Sequence, residues 1–361
     1  MTRSSHHAPD EPSVCRLLRR GAVLSFGAYM AMALYGEGGY YTQSVRIAGA
    51  DGDFYTASRF SLFARTMARV ALRVWSDFGR PADWQVVEWG PGQGELARGI
   101  AKALDETLPP GVRVRYVLME VSPRLADQQR MTLGDSVGRV SFHWGHPDPA
   151  LPSFVIGNEV LDALPVERVR RTRGGWEQAV VRWGEAGPVL EWRAAEPDIA
   201  SLADRFLPLS PGAAGEVCPG MDDFFKQVAA SGRPLRGVFV DYGIRARDLA
   251  EGLRPEGTVR GYRAHRVVDP LGAPGRCDIT ADVHWDAAMR AAEAAGLSVV
   301  RLTDQGAFLL EQGILEVLQA ETPAVDEPGR QRLVGQFKQL VLPGGMGERF
   351  QVLEVQSASE K

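Results

Sequence analysis

The chain has 361 residues, 45% of them hydrophobic and 24% charged, with a net charge of -4 and a pI of about 6.0. That length predicts one large domain with an insertion, or two domains, and the slightly acidic balance excludes a surface built to wrap nucleic acid. Cys15, Cys218 and Cys277 are far apart and lack paired-ligand spacing, so neither a metal site nor a disulfide framework is expected, and a reducing, cytoplasmic setting is.

Residues 1–15 are polar, contain Pro9 and Pro12, and read as a disordered tail. The apolar stretch 21–35 is too short to span a bilayer and lacks a convincing cleavage site, so a packed helix over 16–35, stopped by the glycines of "GEGGYY", is expected. Leu62, Phe63, Met67, Val70, Ala71, Val74 and Trp75 recur at helical spacing over 61–78. Residues 16–80 are therefore read as a helical N-terminal cap or lid.

Strand candidates follow at 84–89, 114–120, 139–144, 153–159, 237–243 and 297–303, with helical patterns between most of them, and a final antiparallel strand at 349–356. Apolar strands alternating with helices predict an α/β, Rossmann-like, doubly wound fold with a mostly parallel sheet covered on both faces. Residues 81–165 and 235–361 form this core. Between them "VERVRR", "WEQAVVRW" and "VLEWR", separated by glycine turns, predict an inserted antiparallel β subdomain at 166–234.

"VVEWGPGQGEL" (86–96) runs from the first strand into a helix, the setting of a ligand-binding glycine turn. Gly90, Gly92 and Gly94 are evenly spaced, Pro91 lies between them, and Glu95 stands where the dinucleotide fingerprint needs glycine. Glu88 and Glu95 would repel a pyrophosphate. S-adenosylmethionine carries a sulfonium and an ammonium and no phosphate, so the turn points to it over NAD; an ordinary strand-to-helix turn is the plainer alternative. Glu120, ending the second strand, is placed to accept both hydroxyls of a ribose, or is simply a solvated acid there.

"VIGNEVLDALP" (155–165) puts Asn158, Glu159 and Asp162 just past an apolar strand, where open sheets bind ligands. If a helical turn starts there, Glu159 and Asp162 share a face. Two carboxylates beside a sulfonium suit a cationic acceptor such as a guanidinium, one of them taking the proton it loses. The same acids would equally complement a helix dipole.

These residues resemble the MidA-like S-adenosylmethionine-dependent methyltransferases. The likeness runs from about Ser25 to Leu353 through "YMAMALYGEGGYY", "GDFYTAS", "VEWGPGQGEL", "YVLMEVSPRLADQQ", "NEVLDALP", "VDYG", "GTVRGYRAHRV", "GRCDITADV" and "QGAFLLEQGI". The resemblance implies a seven-stranded class I methyltransferase core with S-adenosylmethionine as donor. It also implies a protein arginine as acceptor, as in mitochondrial members that support respiratory complex I assembly.

Carried over residue by residue, it puts cofactor binding on Glu88, Gly90, Pro91, Gly92, Gly94, Glu120 and Asn158, and catalysis on Glu159 and Asp162. Substrate binding falls on Tyr41, Asp53, His265 and Asp278; Tyr40, Tyr41, Asp53, Phe54 and Thr56 make up N-terminal motifs that would fold over the site as a lid, with core packing the alternative for Tyr40 and Tyr41. Two departures bear on the acceptor: Ala57-Ser58-Arg59 replaces the family's Ala-Pro-Glu, and Asp282-Val283-His284 inverts its His-Val-Asp. The alternatives are a small-molecule acceptor or a non-catalytic assembly factor. A protein substrate is the expected partner, with a homodimer also open and no membrane insertion.

Overall fold

The structure, a computed structural model, describes residues 11–43 and 56–358. The chain divides into two compact units, each assembled from separated segments: the described parts of 55–163, 220–245 and 282–361 in one, and of 1–54, 164–219 and 246–281 in the other.

The first unit is the doubly wound core. In chain order it contains α1 (Ser61–Asp77), β1 (Asp83–Trp89), α2 (Glu95–Thr107), β2 (Arg113–Met119), α3 (Pro123–Leu133), β3 (Val140–Trp144) and β4 (Ser153–Asn158). It continues through α4 (Met221–Ala229), β5 (Leu235–Ile244), α5 (Trp285–Ala294), β6 (Leu297–Asp304) and β7 (Phe350–Ser357). The strand order is β6-β7-β5-β4-β1-β2-β3. Pairing is parallel from β5 through β4, β1 and β2 to β3, while β7 runs antiparallel to both neighbours. Two-residue strands at Ser136–Val137 and Val283–His284 bring the sheet to nine strands rather than the expected seven. The chain leaves β1 towards β2 and β3 and returns to β4 on the other side, so the order reverses between β1 and β4. In open sheets of this kind the carboxyl ends of the strands at such a reversal are where a ligand crevice lies.

Helix α1 belongs to this unit, not to a separate cap. Its stripe of Leu62, Phe63, Met67, Val70, Ala71 and Val74 is buried in the same core as Leu96, Ile100 and Leu104 of α2, and each such side chain stabilises by roughly 2 kcal/mol. The two helices approach so closely that a Cβ on Gly99 would lie 2.5 Å from that of Ala64.

The second unit holds helices Ser13–Arg19 and Phe26–Tyr35, a five-stranded sheet and a three-stranded sheet. The meander expected in the insertion is present as antiparallel pairs of Glu167–Thr172, Gly175–Trp183 and Pro188–Ala194. The single helix expected over 16–35 is instead two: Gly21, at φ +90°, follows the first, and Ser25 caps the second by accepting from Ala28 N at 3.2 Å. Phe26, Tyr29 and Met30 share one apolar cluster with Val166, Ala179, Val181 and Ile279, so the N-terminal helices and the insertion form one body. The insertion ends at Pro219, not 234, because α4 packs Phe224 and Phe225 against Phe239 of β5, with ring centroids 5.8 and 5.3 Å apart. Among the described residues, no helix is long and apolar enough to cross a membrane.

Candidate active site

The glycine turn connects β1 to α2 at the mouth of the crevice. Gly90, Gly92 and Gly94 take φ of +64°, +54° and +83°, a backbone region open chiefly to glycine. Their reasons differ. A Cβ on Gly90 would sit 2.9 Å from Val160 Cγ2, and one on Gly94 3.1 Å from Leu133 Cδ1, whereas one on Gly92 would project into open space, with nothing within 4 Å. At Gly90 and Gly94 the fold needs the glycine; at Gly92 the space beside it is available to a ligand. Pro91 shapes the turn by accepting at its carbonyl from Gly94 N at 2.8 Å. Glu95, in the first turn of α2, pairs with Arg59 at 3.4 Å, so the cation at the first departure neutralises the acid flanking the loop.

Glu88 is buried in the sheet, where its Oε2 accepts from the Tyr116 hydroxyl at 2.5 Å; burial pushes its pKa up to about 7 against the effect of that bond. Glu120 follows β2. One carboxylate oxygen accepts from Ser122 N at 2.7 Å and the other from Gln129 Nε2 at 3.1 Å. Burial raises it to about 7 as well, opposed by those donors and by Val121 N.

Past β4 the chain does not enter a helix. Residues 159–166 form bends and a turn, which removes both the shared helical face and the helix-dipole reading expected for Glu159 and Asp162. Glu159 itself is left-handed, at φ +53°, a conformation that costs a non-glycine residue about 1–2 kcal/mol. Glu159 N donates to Val240 O at 2.8 Å. Asp241, fully buried within β5, accepts at Oδ2 from Leu161 N and Asp162 N at 3.0 and 3.2 Å and at Oδ1 from Tyr242 N at 3.0 Å.

The turn therefore aims Glu159 away from a helical path. Its Oε1 accepts from the Thr56 hydroxyl at 2.6 Å, Asn158 Nδ2 at 3.1 Å and Ala57 N at 3.3 Å. Burial raises its pKa, opposed by these donors and by the positive charge of Arg349. Asp162 is buried and accepts from the Tyr242 hydroxyl. Burial and the charges of Asp162 and Glu159 hold Asp241 well above the usual carboxylate range. Asn158 is 7% exposed and its Oδ1 has no hydrogen-bond partner, a buried acceptor left for a ligand N–H.

The other expected residues belong to the second unit. The Tyr41 hydroxyl donates to Asp278 Oδ1 at 3.0 Å, joining two of them, while Tyr40 is core packing, 1% exposed. His265 is at an exposed hairpin tip beside Ala264, with both at positive φ. Asp53 and Phe54 lie outside the described residues. At the second departure, His284 caps α5, its Nδ1 accepting from Ala287 N at 3.2 Å. Asp241, Tyr242 and Gln129 were not assigned from sequence. The one available signal for Asp241 was an acid inside the otherwise apolar run "GVFVDYG".

The site fits S-adenosylmethionine: open space beside Gly92, a buried carboxylate at Glu120 just past β2, and an unsatisfied acceptor at Asn158. Residues 66–303 match the family described as "Putative S-adenosyl-L-methionine-dependent methyltransferase". The zebrafish (Danio rerio) relative named protein arginine methyltransferase NDUFAF7, mitochondrial, is 28% identical over 92% of this chain and 83% of its own. The human relative of the same name is 27% identical over 96% and 85%. A crystal structure from Burkholderia thailandensis, bound to S-adenosyl-homocysteine, is 30% identical with a TM-score of 0.81, covering 96% of this chain and 91% of that one. The mitochondrial relatives overturn the expectation of a cytoplasmic protein; cysteine spacing reports redox state, and a reducing interior is not unique to the cytoplasm. This chain belongs to that methyltransferase family and is an enzyme that uses S-adenosylmethionine as its methyl donor.

Proposed function

We propose that the acceptor is an arginine side chain of a protein and that Glu159 receives the proton the reaction releases. The observation that carries this reading is the state of Glu159. Among the described residues its three donors all meet Oε1, leaving Oε2 to grip an acceptor N–H, and burial raises its affinity for a proton. The relatives named protein arginine methyltransferases support the same acceptor class.

S-adenosylmethionine, when bound, supplies an electrophilic methyl group on sulfur. Gly90, Pro91, Gly92 and Gly94 would cradle it, Glu120 would hold its ribose and Asn158 Oδ1 its ammonium, with Glu88 supporting the loop from below. Glu159 orients the guanidinium so that one nitrogen faces the methyl carbon. As the nitrogen–carbon bond forms and the carbon–sulfur bond breaks, the nitrogen's proton passes to the Glu159 carboxylate. The buried carboxyl of Asp162, close to Glu159, favours a cationic acceptor over a neutral one. For Tyr41, Asp53, His265 and Asp278 the family resemblance is the support for a role in acceptor binding.

Incubation of the enzyme and labelled donor with lysate tests the reading. Label should enter protein and be recovered as methylarginine after hydrolysis; label confined to a small extractable product would overturn it.

A further inference from the structure

Gln129 lies on α3 among Leu125, Ala126 and Leu133, all buried, and is itself 0% exposed. An amide in such a stripe is costly unless each of its polar atoms is bonded. Here they are. Its Nε2 donates to Gly92 O at 2.7 Å and to Glu120 Oε2 at 3.1 Å, and its Oε1 accepts from Trp144 Nε1 at 2.9 Å. The indole is a donor only, so it fixes the amide's orientation: turned over, Oε1 would face two acceptor oxygens and the NH2 group would face the indole N–H. One side chain thus ties together the middle of the glycine turn, the acid after β2 and the end of β3.

We propose that Gln129, oriented by Trp144, is a positioning residue for methyl-donor binding, setting the Glu120 carboxylate and the Gly92 peptide in their mutual geometry before the donor arrives. This rests on the reading that Glu120 holds the donor's ribose. Ser122 N takes one oxygen of Glu120 and Gln129 the other. With Val121 N as a third donor, one of the carboxylate's roughly four acceptor sites remains for a ribose hydroxyl. Holding the Gly92 carbonyl at the same time fixes which way that peptide turns at the open face. A site ordered in advance loses less conformational freedom on binding.

Calorimetry with S-adenosyl-homocysteine tests the assignment. Gln129→Met keeps the volume and removes all three bonds. Its affinity at pH 8 should fall about tenfold, and the pH at which affinity is half lost should move upward, because a donor that favours ionised Glu120 is gone. A loss below about threefold, or a midpoint that does not move, overturns the proposal. Trp144→Phe retains the ring and removes the N–H, and serves if the first variant does not fold; it should lose at least about threefold, and a smaller loss again overturns the proposal. Glu120→Ala separates the two failures. If it binds like the parent, the ribose reading is wrong. If it loses the ligand while the Gln129 and Trp144 variants do not, only the positioning role is.

Discussion

Thr56 donates its hydroxyl proton to Glu159 Oε1 at 2.6 Å across 103 positions of sequence, and this short bond orients an acid whose own backbone is left-handed. Thr56→Val should slow methyl transfer by about fivefold, the equivalent of one hydrogen bond of about 1 kcal/mol, and leave S-adenosyl-homocysteine affinity unchanged. Thr56→Ser should restore the rate. Single-turnover rates beside calorimetry provide the check; equal losses in rate and donor affinity would place Thr56 in donor binding instead.

Gly92 and Gly111 form a matched pair. Both have positive φ, +54° and +92°, and a Cβ on either meets nothing within 4 Å, yet Gly111 lies at the opposite end of the strands, before β2. Alanine at each should cost about 1 kcal/mol of stability through backbone strain. Only Gly92→Ala should also weaken S-adenosyl-homocysteine binding, by about tenfold or more. Similar affinities for the two variants would show that the open space beside Gly92 is not used.

Burial pushes the Glu120 pKa up to about 7. On the proposed role its charged form holds the ribose, so affinity should fall as pH drops through that value, with binding at pH 6 about tenfold weaker than at pH 8. Glu120→Gln should bind more weakly at pH 8 and flatten the profile. A parent profile flat between those limits would be incompatible with the assigned role.

Glu88 gives a stability prediction of definite sign. Its folded pKa is raised from 4.5 to about 7 by burial, so the folded state holds more protons than the unfolded one between these values and stability falls as pH rises across them. Glu88→Gln keeps an acceptor for Tyr116 and removes the charge. Its stability should match the parent near pH 4.5, pull ahead up to pH 7, and hold a constant advantage above, on the order of 3 kcal/mol. Thermal melts at pH 4.5, 6 and 8 measure this. Donor affinity of the same variant asks whether Glu88 serves the loop as well as the fold.

The parts of this protein that were legible from sequence are those encoded locally. Apolar strands punctuated by turns announced the core strands, and "GPGQG" between a strand and a helix announced the loop, because glycine's backbone freedom and a strand's burial pattern are properties of a few adjacent residues. Glu120 and Glu159 were found for a related reason: each directly follows a buried parallel strand, and the ends of such strands are where this topology binds ligands.

What orients these acids had no local signature. Thr56 meets Glu159, Asp241 meets the amides of Leu161 and Asp162, and Gln129 meets Gly92 and Trp144 only after the sheet is assembled. The boundary between units was hidden likewise, since whether α1 and α4 cap the core or belong to it depends on which apolar surface each stripe meets. The sequence alone determined the strand-and-helix order, the glycine turn and the kind of donor it suits. Only the tertiary structure decided that Glu159 leaves β4 in a turn rather than a helix and which distant donors tune its proton affinity, because hydrogen bonds and burial depend on distance in space and not along the chain.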